Sequence, residues 1–132
     1  MIELIEHTAD VRLRITGASI EELFGDALRG TMQLLRAEPS GPAVQREVAV
    51  TSPDRTTLLI DFLNEALSNA HVHREAYEDA VFLELTDTRV VARLHGTAAR
   101  AFGEDVKAVT YHEAEIRRGA DGLFSVTIVY DI

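Results

Sequence analysis

The chain has 132 residues, with 13 Lys+Arg against 22 Asp+Glu (net charge −9), 46% hydrophobic and 27% charged residues, and no cysteine. That describes one globular domain over 1–132 able to bury a core. No apolar run approaches the roughly 18 residues of a membrane span, and no charged-then-apolar signal peptide opens the chain. Disulfides, thiolate nucleophiles and sulfur-held metals are excluded, direct gripping of nucleic acid is disfavoured by the acidic balance, and a cytoplasmic protein is the default, whose charge suits a basic partner or a cation and equally a self-repelling soluble surface.

A short strand over 2–5 opens the chain, followed by the polar joint Glu6-His7-Thr8-Ala9-Asp10. Val11, Leu13 and Ile15 then alternate with Arg12, Arg14 and Thr16, a half-buried strand with one basic face that Gly17 ends. Ser19-Ile20-Glu21-Glu22 is a capping box opening a helix to about Arg36, with an apolar stripe at Ile20, Leu23, Phe24, Ala27 and Leu28. A Pro/Gly loop over 37–42 leads to a strand over 44–51. Ser52 followed by Pro53 starts a second helix, buried through Leu59, Phe62, Leu63, Ala66, Leu67 and Ala70, which frays at 71–75. Strands over 81–85 and 90–94 form a hairpin around Thr86-Asp87-Thr88. Residues 96–104 receive no element, 106–118 read as a long strand, and Gly119-Ala120-Asp121-Gly122 turns into a final strand over 123–130. The fold class is α+β, two helices packed on a largely antiparallel or mixed β-sheet in a single compact domain.

If the first and last strands lie side by side, Asp10, Asp131 and the main-chain carboxylate of Ile132 form an oxygen-rich cluster. Such donors select hard cations: calcium, magnesium or manganese. His7 and His112 are candidate bases or nitrogen ligands, although a strand-end histidine bonded to backbone is the commoner case. His71 and His73, two residues apart at a helix end, suit exposure better than metal binding. Lys107 lacks the Asp and Gly that a nucleotidyl-transfer lysine would need after it, since Ala108-Val109-Thr110 follows. No phosphate-binding loop, dinucleotide fingerprint, nucleophile elbow or zinc spacing is present, which argues against a self-sufficient enzyme.

Four blocks in series resemble the archease family: His7-Thr8-Ala9-Asp10 with Gly17-Ala18-Ser19-Ile20-Glu21-Glu22-Leu23-Phe24; Leu58-Leu59-Ile60-Asp61-Phe62-Leu63-Asn64-Glu65; Val106-Lys107-Ala108-Val109-Thr110-Tyr111-His112; and Tyr130-Asp131-Ile132. The resemblance implies an accessory protein, not an enzyme, that activates a GTP-dependent RtcB-type ligase in tRNA splicing and RNA repair, promoting ligase guanylylation and repeated turnover. It implies a divalent metal at Asp10, Asp131 and Ile132: calcium in a crystal, magnesium or manganese in cells. His7, Lys107 and His112 are then candidate partner contacts, and neither a membrane nor strong direct RNA binding is expected. The segment 96–104 departs from the family pattern, with one arginine and no histidine where relatives carry acidic residues and an Arg-His or Lys-His pair. Two other readings stay open: a metal-dependent hydrolase using the same carboxylates, and a chaperone or scaffold with a structural calcium site.

Overall fold

The computed structural model describes residues 1–6 and 10–132. Ten elements follow in order: β1 (Ile2–Glu6), β2 (Val11–Gly17), α1 (Ile20–Leu34), β3 (Ala37–Thr51), α2 (Arg55–His73), β4 (Glu75–Leu85), β5 (Arg89–Phe102), β6 (Ala108–Thr110), β7 (Arg117–Arg118) and β8 (Phe124–Asp131). The α+β architecture with two helices holds, and the strands divide between two sheets. One runs β1-β2-β8-β6, with β7 also pairing β8; the other runs β3-β5-β4. Every pairing is antiparallel.

The helices and both sheets share one hydrophobic core. Phe24 of α1, Phe62 of α2 and Phe82 of β4 form an aromatic triad with centroids 5.8 to 6.3 Å apart, fastening the helices to the second sheet. The first sheet is tied in by Leu13, Ile15, Val126, Ile128 and Tyr130, the inward residues of β2 and β8. The capping box forms as expected: Ser19 Oγ accepts from Glu22 N at 3.1 Å, and Glu22 Oε2 accepts from Ala18 N at 2.9 Å.

Several boundaries differ from the sequence expectation, each for a physical reason. The cap of α2 is Asp54 rather than Ser52: Asp54 is extended and accepts from Thr57 N at 2.8 Å, while buried Ser52 donates to Asp61 Oδ2 at 2.6 Å. The helix does not fray before Arg74, whose backbone turns left-handed (φ 53°) as it ends. Glu75, expected in a polar tail, is instead 5% exposed at the head of β4. Its carboxylate takes both arms of Arg46 at 3.0 and 2.9 Å and the Tyr77 hydroxyl at 2.8 Å.

The expected loops at 37–42 and 96–104 are largely strand, and they pair with each other: Ala37↔Phe102, Glu38↔Ala101, Pro39↔Ala99. The ladder needs backbone groups rather than alternating side chains, and it slips on both sides of Pro39, which has no N–H to give. Gly96 makes the tight pairing with β4 possible, since a Cβ there would stand 1.8 Å from Ala76 O. The long strand expected over 106–118 is only Ala108–Thr110 and Arg117–Arg118, separated by a turn in which Ala114 N donates to Tyr111 O at 3.1 Å and Glu113 is left-handed (φ 61°). Side chains of α2 take the backbone groups that a longer strand would have used.

Candidate functional site

β2 and β8 pair from Gly17↔Phe124 to Val11↔Tyr130. The strand period of two sends Leu13, Ile15, Val126, Ile128 and Tyr130 to the core and puts Arg12, Arg14, Thr127 and Val129 on the other face. One step past Val11↔Tyr130, Asp10 immediately precedes β2 and Asp131 ends β8, at the same end of the sheet. β6 closes the group from the far side, with Ala108↔Asp131 in register and Lys107 N donating to Asp131 O at 2.8 Å. The two carboxylates proposed from the sequence therefore lie at the same end of the β2–β8 ladder.

Behind them lies a charged row that the sequence reading passed over. Arg12 Nε is 3.6 Å from Asp10 Oδ1, and Arg12 Nη1 donates to Glu113 Oε2 at 2.6 Å. In register beside Arg12 come Val129, 3% exposed, and Thr110. Asp10 Oδ1, Arg12 Nε and Thr110 Oγ1 are all out of contact with solvent and make no hydrogen bond; among the described residues only His95 Nε2, on the other sheet, shares that condition. Buried polar atoms are rarely left so, and two of these three, Asp10 Oδ1 and Arg12 Nε, face each other as an ion pair just beyond hydrogen-bond distance. A signal existed in the sequence: Arg12 shares a strand face with Asp10, two residues away.

The segment carrying Thr110 and Glu113 is fixed by polar side chains along α2. Asn64 brackets Val109, donating to its carbonyl at 2.8 Å and accepting from its N–H at 2.9 Å. Thr56 Oγ1 accepts from Ile116 N at 3.1 Å, and His71 Nε2 lies 3.1 Å from Val106 O. Tyr111 donates to Asp61, whose other oxygen takes the Ser52 hydroxyl, and the Asp61 contact pushes the Tyr111 phenol above its ordinary range.

The remaining candidates scatter. His7 lies outside the described residues. The Lys107 side chain is exposed, and only its backbone meets Asp131. His112 stands exposed on the turn, its Nε2 3.9 Å from Glu113 Oε1, beside the group that reaches Arg12 rather than beside Asp131. Ile132 is 42% exposed, directly after Asp131.

The model of the Archease protein family (MTH1598/TM1083) matches residues 2–132. The chain belongs to the archease family. It is 31% identical over 144 residues to the protein archease of Methanosarcina mazei, covering 98% of this chain and 94% of that one. It is 30% identical over 143 residues to the protein archease of Pyrococcus furiosus, covering 98% and 97%. A crystal structure of an archease, a possible chaperone, from Thermotoga maritima superimposes with a TM-score of 0.72 at 21% identity, covering 100% of this chain and 98% of that one. A solution structure of a Methanobacterium thermoautotrophicum protein gives 0.73 at 24% identity, covering 99% and 98%. These two likenesses establish the archease fold. Among the described residues no helix is long and apolar enough to cross a membrane.

The cation that the archease resemblance implies can be tested against these residues. Among the described residues no group of three His, Cys, Asp or Glu side chains is arranged to hold a metal, and Asp10 and Asp131 are two carboxylates. The main-chain oxygens of Ile132, adjoining Asp131, are the further donor in the family reading. The donor set is entirely oxygen, suiting a hard divalent cation, and the orphaned Asp10 Oδ1 has a lone pair to offer. The residues fit.

Proposed function

We propose that this archease-family chain is a non-catalytic accessory protein that activates a GTP-dependent RtcB-type RNA ligase, promoting its guanylylation and repeated turnover in tRNA splicing and RNA repair in the cytoplasm. Family membership over 2–132 supports the reading, and the observation that carries it to a site is that Val11 pairs with Tyr130, so that Asp10, one residue before β2, and Asp131, the last residue of β8, follow at the same end of the ladder. Asp10, Asp131 and the Ile132 main-chain oxygens would hold a divalent cation; when bound, such an ion orients phosphates and neutralises charge during nucleotidyl transfer. Asp131 is kept in place by β6, through Ala108 in register and the Lys107 N–H, and α2 steadies β6 through Asn64. The net charge of −9 suits a protein that meets the ligase and leaves the RNA phosphates to it. Lys107 and His112 lie on the exposed surface near this end of the fold and serve as contacts with the ligase rather than as chemistry.

A structural calcium staple is the weaker reading, because β2 and β8 already pair along seven residues without it. The test adds trace amounts of this protein to a cognate ligase with GTP, divalent metal and excess cleaved RNA, reading product per ligase molecule. Turnovers that depend on this protein support activation. GTP hydrolysis by the protein without ligase would favour a hydrolase, and no effect on the ligase would overturn the proposal.

A further inference from the structure

The carboxylate that would hold a cation already faces one belonging to the chain. Arg12 Nε stands 3.6 Å from Asp10 Oδ1, an ion pair in which neither atom makes a hydrogen bond among the described residues. The two side chains are only 21% and 26% exposed, so the attraction is screened less than between surface groups. Such a contact balances the charge of Asp10 and leaves Oδ1 without a hydrogen bond among the described residues. The same guanidinium has a stronger partner, since Nη1 donates to Glu113 Oε2 at 2.6 Å. Glu113 is held there by its turn, through the Ala114 to Tyr111 backbone bond and the Tyr111 to Asp61 bond. Arg12 therefore sits between two carboxylates, bonded to one and merely near the other.

We propose that Arg12 is the resident counter-ion of Asp10, and that it must leave Asp10 and pair solely with Glu113 before a divalent cation can be held. Arg12 then sets the affinity of the site, and Glu113 is the acceptor that lets it go, which links occupancy to the turn at 111–114. The proposal rests on the cation reading above.

The experiment titrates manganese or calcium by calorimetry into the wild type, Arg12→Gln, Glu113→Gln, the double variant and Asp10→Asn, each checked for folding by circular dichroism. Arg14→Gln, exposed on the same face two residues along, reports the effect of simply losing a positive charge. Arg12→Gln should bind roughly two- to fivefold tighter, clearly beyond Arg14→Gln, the range an ion pair of this exposure implies. Glu113→Gln should bind severalfold weaker, and that loss should vanish in the Arg12→Gln background, because Glu113 acts through Arg12. Arg12→Met replaces Arg12→Gln if the latter does not fold. Equal effects of Arg12→Gln and Arg14→Gln, or additive effects of Arg12→Gln and Glu113→Gln, would overturn the counter-ion role while the cation site stands. No binding by wild type or Arg12→Gln, or undiminished binding by Asp10→Asn, would instead remove the cation site itself.

Discussion

Asn64 grips the backbone of Val109 with both ends of its carboxamide, at 2.8 and 2.9 Å, and so replaces the strand missing from the outer edge of β6. A side chain with one donor and one acceptor at fixed spacing is what a strand edge presents, so β6 stays in register against β8 although it is three residues long. The neighbouring Lys107 N–H thereby reaches Asp131 O, and the helix is linked to the candidate cation site.

Asn64→Ala should therefore cost about 2 kcal/mol, with two partly buried backbone groups left to find water. The loss should be local first: amide exchange of Lys107 and Val109 should quicken well before that of the α1 amides. Unchanged protection at Lys107 and Val109 would show that Asn64 does not anchor β6.

Thr31 and Tyr130 make a second, buried link, 2.7 Å apart between α1 and β8. Thr31 donates its single hydroxyl proton to Ala27 O at 2.8 Å, which makes Tyr130 the donor to Thr31. The direction sets an asymmetry. Thr31→Val strands the Tyr130 hydroxyl in the core and should cost about 1–3 kcal/mol, whereas Tyr130→Phe removes the donor and should cost about 1 kcal/mol. The double variant should cost less than the sum of the two single costs, measured by urea denaturation; simple additivity would mean that the pair does not interact.

The Arg46–Glu75–Tyr77 cluster carries a pH dependence. Hydrogen bonding to the Arg46 guanidinium, helped by the Tyr77 hydroxyl, holds the Glu75 carboxyl below its ordinary 4.5 against the opposing effect of burial. A depressed carboxylate contributes stability that is complete above the unfolded value and is lost as pH falls through the folded one. The stability advantage of wild type over Glu75→Gln should thus be constant near neutral pH and shrink below about 4.5. A difference that stays flat down to about pH 3 would contradict the assignment.

Local signals were legible in the sequence. Ser19 and Glu22 announced the start of α1 three residues apart, Val11, Leu13 and Ile15 gave β2 its inward face, and the same alternation carried Asp10 to a strand end beside the last strand. What stayed hidden depends on partners distant along the chain. Glu75 reads as a surface residue until Arg46 is beside it, and Asn64 reads as the polar flank of a helix until Val109 meets it. Residues 37–42 and 96–104 look like loops because each lacks alternation, and they become strands by pairing with each other. The orphaned Arg12 Nε and Thr110 Oγ1 have no sequence signature, since only the register of three strands puts them on one face.

The most direct test of the account is the rate of ligase guanylylation in the presence of wild type or of Asp10→Asn, which removes one charge and keeps the shape. With a thermal melt showing that Asp10→Asn is folded, the account predicts that stimulation is lost while the ligase's own basal rate is unaltered. Full stimulation by a folded Asp10→Asn would contradict the claim that this carboxylate, at the end of the β2–β8 ladder that Asp131 also occupies, is where the protein acts.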